Sequence, residues 1–381
     1  MALRNVSKIW KPSSAVVICL GFVLGLVSLC IGLGVYSSLS RCGGVKEKWK
    51  GVEKALADLR RAGRLESLDS AKVTDETYRK AWYKKYDEIS SVASVLRHRS
   101  DDFQRSAAGT SNIERCAVTP EAATWEHSSM SRVGTDGVLF SIFAAIGTRT
   151  RIAVEVDSAS GQGLYMSLAS LTSFLSWDVY MYFQAWSGYA LGNELLNNAA
   201  STSRRAQSFS TAPKVNVSEV GTATSNFNEV LKGSLVAGEI DLLCLFTEAN
   251  DYKIWKSLDG VAPRVVLVTY QEYWGPDVAV IRSSSGKPRP GHDSRDTKRR
   301  RLFIGASLPA LIKLANSKGY RLFYCLSNTP IAVFVLDDPT TQILKTLPAA
   351  DCFRKKALDP EWMKDMAAQW DEAQTFEWID L

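Results

Sequence analysis

The chain contains 381 residues, with 46 lysines and arginines against 40 aspartates and glutamates, and a formal net charge of +6 at pH 7. Hydrophobic residues make up 46% and charged residues 23% of the chain, which are the values of an ordinary folded protein. These figures exclude a disordered chain, a collagen-like chain and a polytopic membrane protein as descriptions of the whole. The length suits one large domain with additions.

Cysteine and histidine spacing argues against a metal centre. No pair among the seven cysteines has the C-x-x-C spacing of a zinc ribbon or a thioredoxin-like site. The three histidines are not spaced as metal ligands or as part of a catalytic triad. Disulfide scaffolds are usually much denser in cysteine than this chain. We therefore predict no metal site.

A basic N-terminal segment, residues 1–14, precedes an apolar run over residues 15–36 that contains no charged residue. At about 1.5 Å per residue, a helix of this length crosses a hydrocarbon core of roughly 30 Å. The run predicts one transmembrane helix. It carries small residues at helical spacing that would let another helix approach closely: Gly21, Gly25, Ser28 and Gly32.

The flanks of this run leave its compartment and orientation open. The first acidic residue of the chain is Glu47, and an acid-free basic start resembles a mitochondrial presequence. It also resembles the basic region of a signal anchor, and basic residues on both flanks give no clear orientation. We predict a single-pass protein of the mitochondrial inner membrane, with a secretory-pathway (ER or Golgi) membrane as the alternative. In the latter case alone, the sequon Asn216-Val217-Ser218 would matter.

Residues 37–130 are predicted to form a helical collar and a linker. Trp49, Val52, Leu56 and Leu59 recur at helical spacing, and a second amphipathic stretch follows over residues 78–96. Residues 105–130 are polar and are typical of a linker. Aromatic residues in such helices usually serve packing.

Residues 131–340 alternate between short β-branched runs and helical runs, which predicts a mainly parallel sheet covered by helices on both faces. The predicted strands cover 152–156, 179–183, 214–217, 241–246, 264–270, 320–325 and 331–336. The predicted helices cover 164–174, 226–232, 252–258 and 307–318. The last two strands are separated by a short turn, which favours an antiparallel hairpin at one edge.

The first predicted strand leads into a small-residue loop over 154–163, an arrangement that can cradle a nucleotide-like ligand. Further motifs lie at 136–143, 146–147, 177–178, 240–243, 250–256, 263–268, 275–276, 305–308 and 318–322. Together these segments resemble those of class I S-adenosylmethionine-dependent methyltransferases, in a branch similar to FkbM-type enzymes. The resemblance implies a seven-stranded Rossmann-like sheet that ends in a reversed hairpin.

The resemblance also implies a site for S-adenosylmethionine, lined here by Glu155, Gly161, Gly163, Glu248 and Asp251. Several polar positions of the family pattern are changed, however. Asp157 and Ala159 replace expected glycines, and 182–184 replace the acid that holds the ribose hydroxyls. Phe246 replaces another acid, and 269–271 replace a Glu–Tyr–Asn pattern. We therefore predict a degenerate site with no catalytic residue and no bound cofactor.

Residues 282–301 form a basic loop insertion with eight lysines or arginines and two aspartates. Its glycine, proline and serine residues indicate a surface loop. It is either a solvated loop or a site for an acidic partner or anionic lipids such as cardiolipin, with a basic cluster of Arg295, Lys298, Arg299, Arg300 and Arg301. No aromatic residue is interleaved for base stacking, so we predict no nucleic-acid binding.

Residues 341–381 form an acidic C-terminal extension in which Trp362, Met366 and Trp370 share one helical stripe. The stripe either packs on its own domain or, if exposed, marks a partner surface.

The sequence as a whole predicts a non-catalytic, membrane-anchored accessory subunit of a larger membrane protein assembly. The specific expectation is a mitochondrial respiratory or ATP-synthase complex, with other membrane-protein subunits and membrane lipids as partners. The alternative is an active, membrane-tethered methyltransferase acting on a lipid, a glycan or a protein. A third hypothesis is a peripheral module that binds anionic surfaces through the basic loop.

Overall fold

The computed structural model describes residues 44–58, 61, 92, 95–96, 98–108, 125–126, 133–157, 177–183, 215–219, 227–234, 236–247, 250–282, 305–354, 359–373 and 377–381. Three groups of predicted features lie outside these residues: the transmembrane run with its small residues Gly21, Gly25, Ser28 and Gly32; the loop residues Gly161, Gly163 and Glu248; and the basic cluster Arg295, Lys298, Arg299, Arg300 and Arg301. Within the described part of the chain, no helix is long and apolar enough to span a bilayer.

A seven-stranded sheet forms the centre of the domain, with strand order β3-β2-β1-β4-β5-β8-β7. Its strands are β1 Ile152–Asp157, β2 Asp178–Phe183, β3 Val215–Glu219, β4 Gly238–Phe246, β5 Val261–Thr269, β7 Tyr320–Cys325 and β8 Ile331–Leu336. Strands β1 to β5 are parallel, whereas β8 is antiparallel to both β5 and β7. The predicted mixed α/β fold and the predicted edge hairpin are confirmed. This sheet has the strand number and the reversed hairpin that the methyltransferase resemblance implies.

The helices around the sheet are α1 Thr135–Ile146, α2 Phe227–Gly233, α3 Asp251–Ser257, α4 Leu308–Ser317, α5 Ala349–Arg354 and α6 Pro360–Ala373. A 3₁₀ helix at Glu272–Trp274 follows β5, and the short strands β6 Val280–Arg282 and β9 Trp378–Asp380 pair with each other. The predicted helices at 226–232, 252–258 and 307–318 are confirmed within one residue at each end, and 164–174 lies outside the described residues.

Two apolar clusters cover the two faces of the sheet, as expected for strands that are buried on both sides. Alternate residues of β1 illustrate the division: Ala153 belongs to one cluster, and Val154 and Val156 belong to the other. Helix α1 packs in the first cluster, and helices α3 and α4 pack in the second. The core therefore consists of two layers separated by the sheet.

The predicted collar contributes directly to the first cluster. Helical residues 44–58 bury Trp49 and Val52 among side chains of the sheet face, and helical residues 98–108 bury Phe103 there. The Trp49 ring lies 5.0 Å from the Phe103 ring and 5.9 Å from the Trp125 ring, measured between centroids. The described aromatic residues Trp49, Phe103 and Trp125 thus serve packing. Residues 105–108 were predicted as the start of a linker, but they continue the helix of residues 98–108.

A buried ion pair lies near the amino-terminal ends of strands β4 and β5. Arg264 of β5 and Asp241 of β4 are 1% and 0% exposed, and Arg264 Nη1 lies 2.9 Å from Asp241 Oδ1. Arg264 also donates to the carbonyl oxygens of Ile146 and Gly147 at the end of α1. The Asp241 carboxylate accepts the backbone N–H groups of residues 149–151. This pair therefore fixes the turn from α1 into β1.

The C-terminal extension packs against its own domain. Met366, Trp370 and Trp378 join a small cluster around Tyr273 and Trp274, and the Trp274 ring lies 4.8 Å from that of Trp370. Between the two possibilities that the sequence left open for the tryptophan stripe, the structure selects intramolecular packing.

A disulfide bond joins Cys325 at the end of β7 to Cys352 in α5, with the two Cα atoms 5.4 Å apart. Sequence spacing gave no sign of this pair, because 27 residues separate the two cysteines.

Candidate functional site

The candidate site is the edge of the sheet where the parallel strands end. In open α/β sheets, ligands bind outside the carboxyl ends of the strands, where the strand order reverses. Here β1 lies between β2 and β4, so the order reverses beside β1. The residues of interest are therefore those that end β1 and its neighbours.

Glu155 lies in β1, beside Met181 of β2 and Cys244 of β4 in the sheet register. Its side chain is 0% exposed, and neither carboxyl oxygen has a hydrogen-bond partner in the part of the chain that the structure describes. Burial, followed by the nearby carboxylates of Asp157 and Asp136, raises the pKa of Glu155 well above its ordinary value of 4.5. Glu155 is therefore a proton-binding group inside the fold.

Asp157 and Asp136 flank Glu155 and are also buried. Asp157 ends β1, where the resemblance implies a glycine, and Asp136 stands in the first turn of α1. Asp157 could be recognised from the sequence as a departure from the methyltransferase pattern, whereas Asp136 was not predicted to be a neighbour of Glu155. The position of Asp136 in the first turn of a helix was a visible signal, but its proximity to β1 depends on how α1 packs.

Asp251 begins α3 just beyond the end of β4, and it is 1% exposed. Its Oδ1 atom accepts hydrogen bonds from the backbone N–H of Thr247, at 2.7 Å, and from the Thr247 hydroxyl. Its Oδ2 atom accepts a hydrogen bond from the hydroxyl of Thr269 at the end of β5. The carboxylate thus ties the ends of two neighbouring strands together.

Aromatic side chains occupy two positions where the resemblance implies acids. Tyr182 of β2 is buried, and its ring meets that of Phe227 edge to face at 5.6 Å between centroids. Phe246 at the end of β4 is fully buried in the first core cluster. Neither side chain can accept two hydrogen bonds from a ribose diol as a carboxylate does.

The carboxyl end of β5 is covered by the C-terminal extension. Tyr270 directly after β5 is 2% exposed and packs against Phe353 of α5, with ring centroids 6.1 Å apart. Burial raises the pKa of the Tyr270 hydroxyl far above its ordinary value. Next to it, Trp362 Nε1 of α6 donates to Glu272 Oε2 at 3.4 Å. Helices α5 and α6 therefore contact the end of β5.

The described residues limit what this edge can bind. Of the five residues expected to line a cofactor site, the structure describes Glu155 and Asp251. Both lie toward the carboxyl ends of the parallel strands. Among described residues, Asp251 has hydrogen-bond partners and Glu155 has none. Within the described ranges, no group of three histidine, cysteine or acidic residues could hold a metal ion. Of these two acids, Glu155 is therefore the one whose carboxyl a ligand could still satisfy.

Comparisons with known proteins add little to this geometry. No known protein family matches the sequence, and no curated protein matches it either. Among solved structures, the chain is similar to the pyocyanin biosynthetic protein PhzM, with 14% sequence identity and a TM-score of 0.27, over 80% of this chain and 99% of that one. The description of the fold rests on this chain's own sheet order and strand directions.

Proposed function

We propose that this protein is a non-catalytic, membrane-anchored accessory subunit of a larger membrane protein assembly, in which a methyltransferase-like domain serves as a packing module. One observation carries the proposal: Asp251, the described acid that follows β4, uses both carboxylate oxygens to hold Thr247 and Thr269. A carboxylate that joins two strand ends is a structural element, and it is poorly suited to exchange these partners for a ligand.

Further support comes from the ends of β2, β4 and β5. Tyr182 and Phe246 occupy acid positions of the methyltransferase pattern as packed aromatic side chains. Tyr270 and the 3₁₀ helix after β5 are covered by α5 and α6. A fold can be maintained without its chemistry, because the residues that pack the core differ from those that bind the ligand.

The alternative function is an active, membrane-tethered methyltransferase that uses S-adenosylmethionine and acts on a lipid, a glycan or a protein. One observation favours it: the buried carboxyl of Glu155 has no hydrogen-bond partner among the described residues. Buried polar groups without partners are rare, and a ligand is one way to satisfy them.

Two measurements on the full-length protein separate these functions. Purification from membranes in mild detergent should yield a complex with other membrane-protein subunits, and a lone monomer would argue against the accessory role. Incubation of the same membranes with S-adenosylmethionine carrying a radioactive methyl group tests the alternative. We expect no labelled lipid, glycan or protein beyond the level seen with a Glu155→Gln variant.

The identity of the assembly is a separate prediction. A mitochondrial respiratory or ATP-synthase complex was suggested by the acid-free basic N-terminus, and fractionation of tagged protein between mitochondria and secretory membranes would test it. The basic cluster at 295–301 is proposed to contact anionic lipid or an acidic partner. Neutralising residues 298–301 should weaken flotation with liposomes that contain cardiolipin, and unchanged flotation would contradict that role.

A further inference from the structure

We infer that the globular domain lies on the luminal side of a secretory-pathway membrane and that Asn216 carries an N-linked glycan. This inference goes beyond the proposed accessory role, because it concerns where the domain folds and how it is modified. It uses the predicted transmembrane helix as the membrane anchor, and it selects the secretory-pathway membrane over the mitochondrial inner membrane. Two independent observations carry it: the disulfide bond between Cys325 and Cys352, and the position of the sequon Asn216-Val217-Ser218 at the edge of the sheet.

The disulfide bond indicates an oxidising compartment. Disulfide bonds persist in secreted proteins and in the lumen of the secretory pathway, whereas thiols are kept reduced in the cytosol. Cys325 and Cys352 are only 8% and 7% exposed, and both belong to the second core cluster. A bond inside the core is set during folding, so the compartment in which the domain folds must itself be oxidising.

Other roles for these cysteines fit less well. The described residues offer no group of three potential ligands that would make the pair part of a metal site. Cys244 is a free thiol, but it is buried in β4, where burial and the neighbouring Glu155 raise its pKa well above the usual value. A protonated, buried thiol is a poor nucleophile for disulfide exchange. The bond is therefore a structural link.

This link secures one edge of the sheet. Cys325 ends β7, which is the last strand on one side of the sheet order. The chain from Leu344 to α5 runs along that strand: Leu347 N donates to Leu322 O at 2.8 Å, and Arg321 Nη1 donates to Leu344 O at 2.6 Å. The disulfide bond holds α5 beside the same strand. The β7 edge is thus covered by the chain itself.

The opposite edge is β3, and it contains the sequon. Asn216 pairs in register with Tyr180 of β2, and within the described residues no strand pairs with the outer side of β3. Tyr180 remains partly exposed, whereas its neighbours Val179 and Met181 are fully buried. An N-linked glycan is bulky and must end at the surface. An edge strand offers that position, whereas a central strand such as β1 would not.

A glycan at this position would also protect the edge. An uncovered edge strand presents unpaired backbone N–H and C=O groups that can pair with another chain. The C-terminal segment covers the β7 edge, and a glycan on Asn216 would shield the β3 edge in the same way. The disulfide bond and the glycan both require the lumen of the secretory pathway. The disulfide bond secures the cover of edge strand β7, and the glycan would shield edge strand β3.

The test expresses the full-length chain in cultured eukaryotic cells, where its own N-terminal signals direct it, and measures its mobility before and after treatment with peptide-N-glycosidase F. We expect one downward shift that is lost in Asn216→Gln and in Ser218→Ala. The Ser218→Thr variant retains the acceptor sequence and should retain the shift. These variants separate loss of the glycan from failure to fold.

A matched control comes from a second sequon, Asn5-Val6-Ser7, which precedes the predicted transmembrane helix. In the proposed orientation Asn5 faces the cytosol, so Asn5→Gln should leave the shift unchanged. Absence of any shift in the wild-type chain would overturn the inference, as would a shift that Asn5→Gln abolishes. In the same cells, reduction of the denatured wild-type chain should add two more maleimide labels than reduction of a Cys325→Ser/Cys352→Ser variant adds. Equal labelling of the wild-type chain with and without reductant would also overturn it.

Discussion

Replacing Asp251 with asparagine tests whether this carboxylate serves the fold or a ligand. The substitution keeps the shape of the side chain, so it creates no cavity, but it removes the charge. Three hydrogen bonds from described residues reach the carboxylate: two from Thr247 and one from Thr269. Hydrogen bonds to a charged group contribute about 1.5–3 kcal/mol each and neutral ones about 0.5–1.5 kcal/mol.

The expected loss follows from these contacts. In Asp251→Asn, the carbonyl oxygen can still accept from Thr247, and the Thr269 hydroxyl can turn to accept from the new amide. Three charge-assisted hydrogen bonds then become neutral, at about 1 kcal/mol each. We therefore expect the free energy of unfolding to fall by about 2–3 kcal/mol, measured by urea denaturation of the full-length protein in mild detergent and followed by tryptophan fluorescence.

The matched control is Asp259→Asn, the same chemical change at an exposed aspartate near the end of α3. It should change the free energy of unfolding by less than about 0.5 kcal/mol. Thr269→Val in the Asp251→Asn background should cost less than in the wild-type background, because part of its interaction is already weakened. The reasoning is refuted if Asp251→Asn is as stable as the control while binding of S-adenosylmethionine or methyl transfer is lost.

Three further predictions concern other buried groups. Arg264→Met should lower the free energy of unfolding by about 3–5 kcal/mol, because it leaves the carboxylate of Asp241 buried without its cationic partner; denaturation in urea measures this, and a loss below 1 kcal/mol would contradict the pairing. Because burial raises the pKa of Glu155, its contribution to stability is fully present below its unfolded value near pH 4.5 and is lost as the pH rises toward the folded value. Above pH 5, the free energy of unfolding of the wild-type chain should fall by up to about 1.4 kcal/mol per pH unit, whereas that of Glu155→Gln should not show this decline. Urea denaturation at a series of pH values measures both, and identical pH profiles would contradict the prediction. Cys352→Ser should cost about 3.5 kcal/mol for opening a loop of this length. It should also reduce the destabilisation caused by reductant, and a variant that reductant destabilises as much as the wild-type chain would contradict the assignment of this bond.

The sheet could be predicted from the sequence because its strands are short runs of buried apolar residues. The segment Arg264 to Tyr270 is typical: five successive residues after Arg264 are Val, Val, Leu, Val and Thr, and the observed strand β5 ends at Thr269. The hairpin of β7 and β8 could be predicted from its short turn alone. Both features are encoded by residues that are close together along the chain, so a single sequence is enough to predict them.

The contacts within the candidate site could not be predicted in the same way. Asp251 and Thr269 are 18 residues apart, and their contact depends on the relative position of the ends of β4 and β5. The proximity of Asp136 to Glu155 depends on how α1 packs on the sheet. The disulfide pairing of Cys325 with Cys352 was equally invisible, because seven cysteines allow many pairings. These features depend on tertiary packing, which periodicity does not encode.

The most direct test of the central claim is a calorimetric titration of the full-length protein, in mild detergent, with S-adenosylmethionine. A catalytically active methyltransferase under the same conditions provides the positive control. If Asp251, Tyr182 and Phe246 serve packing, the titration should show no saturable heat for this protein. Saturable binding in the micromolar range, abolished in Glu155→Gln, would contradict the claim that the methyltransferase-like domain is non-catalytic.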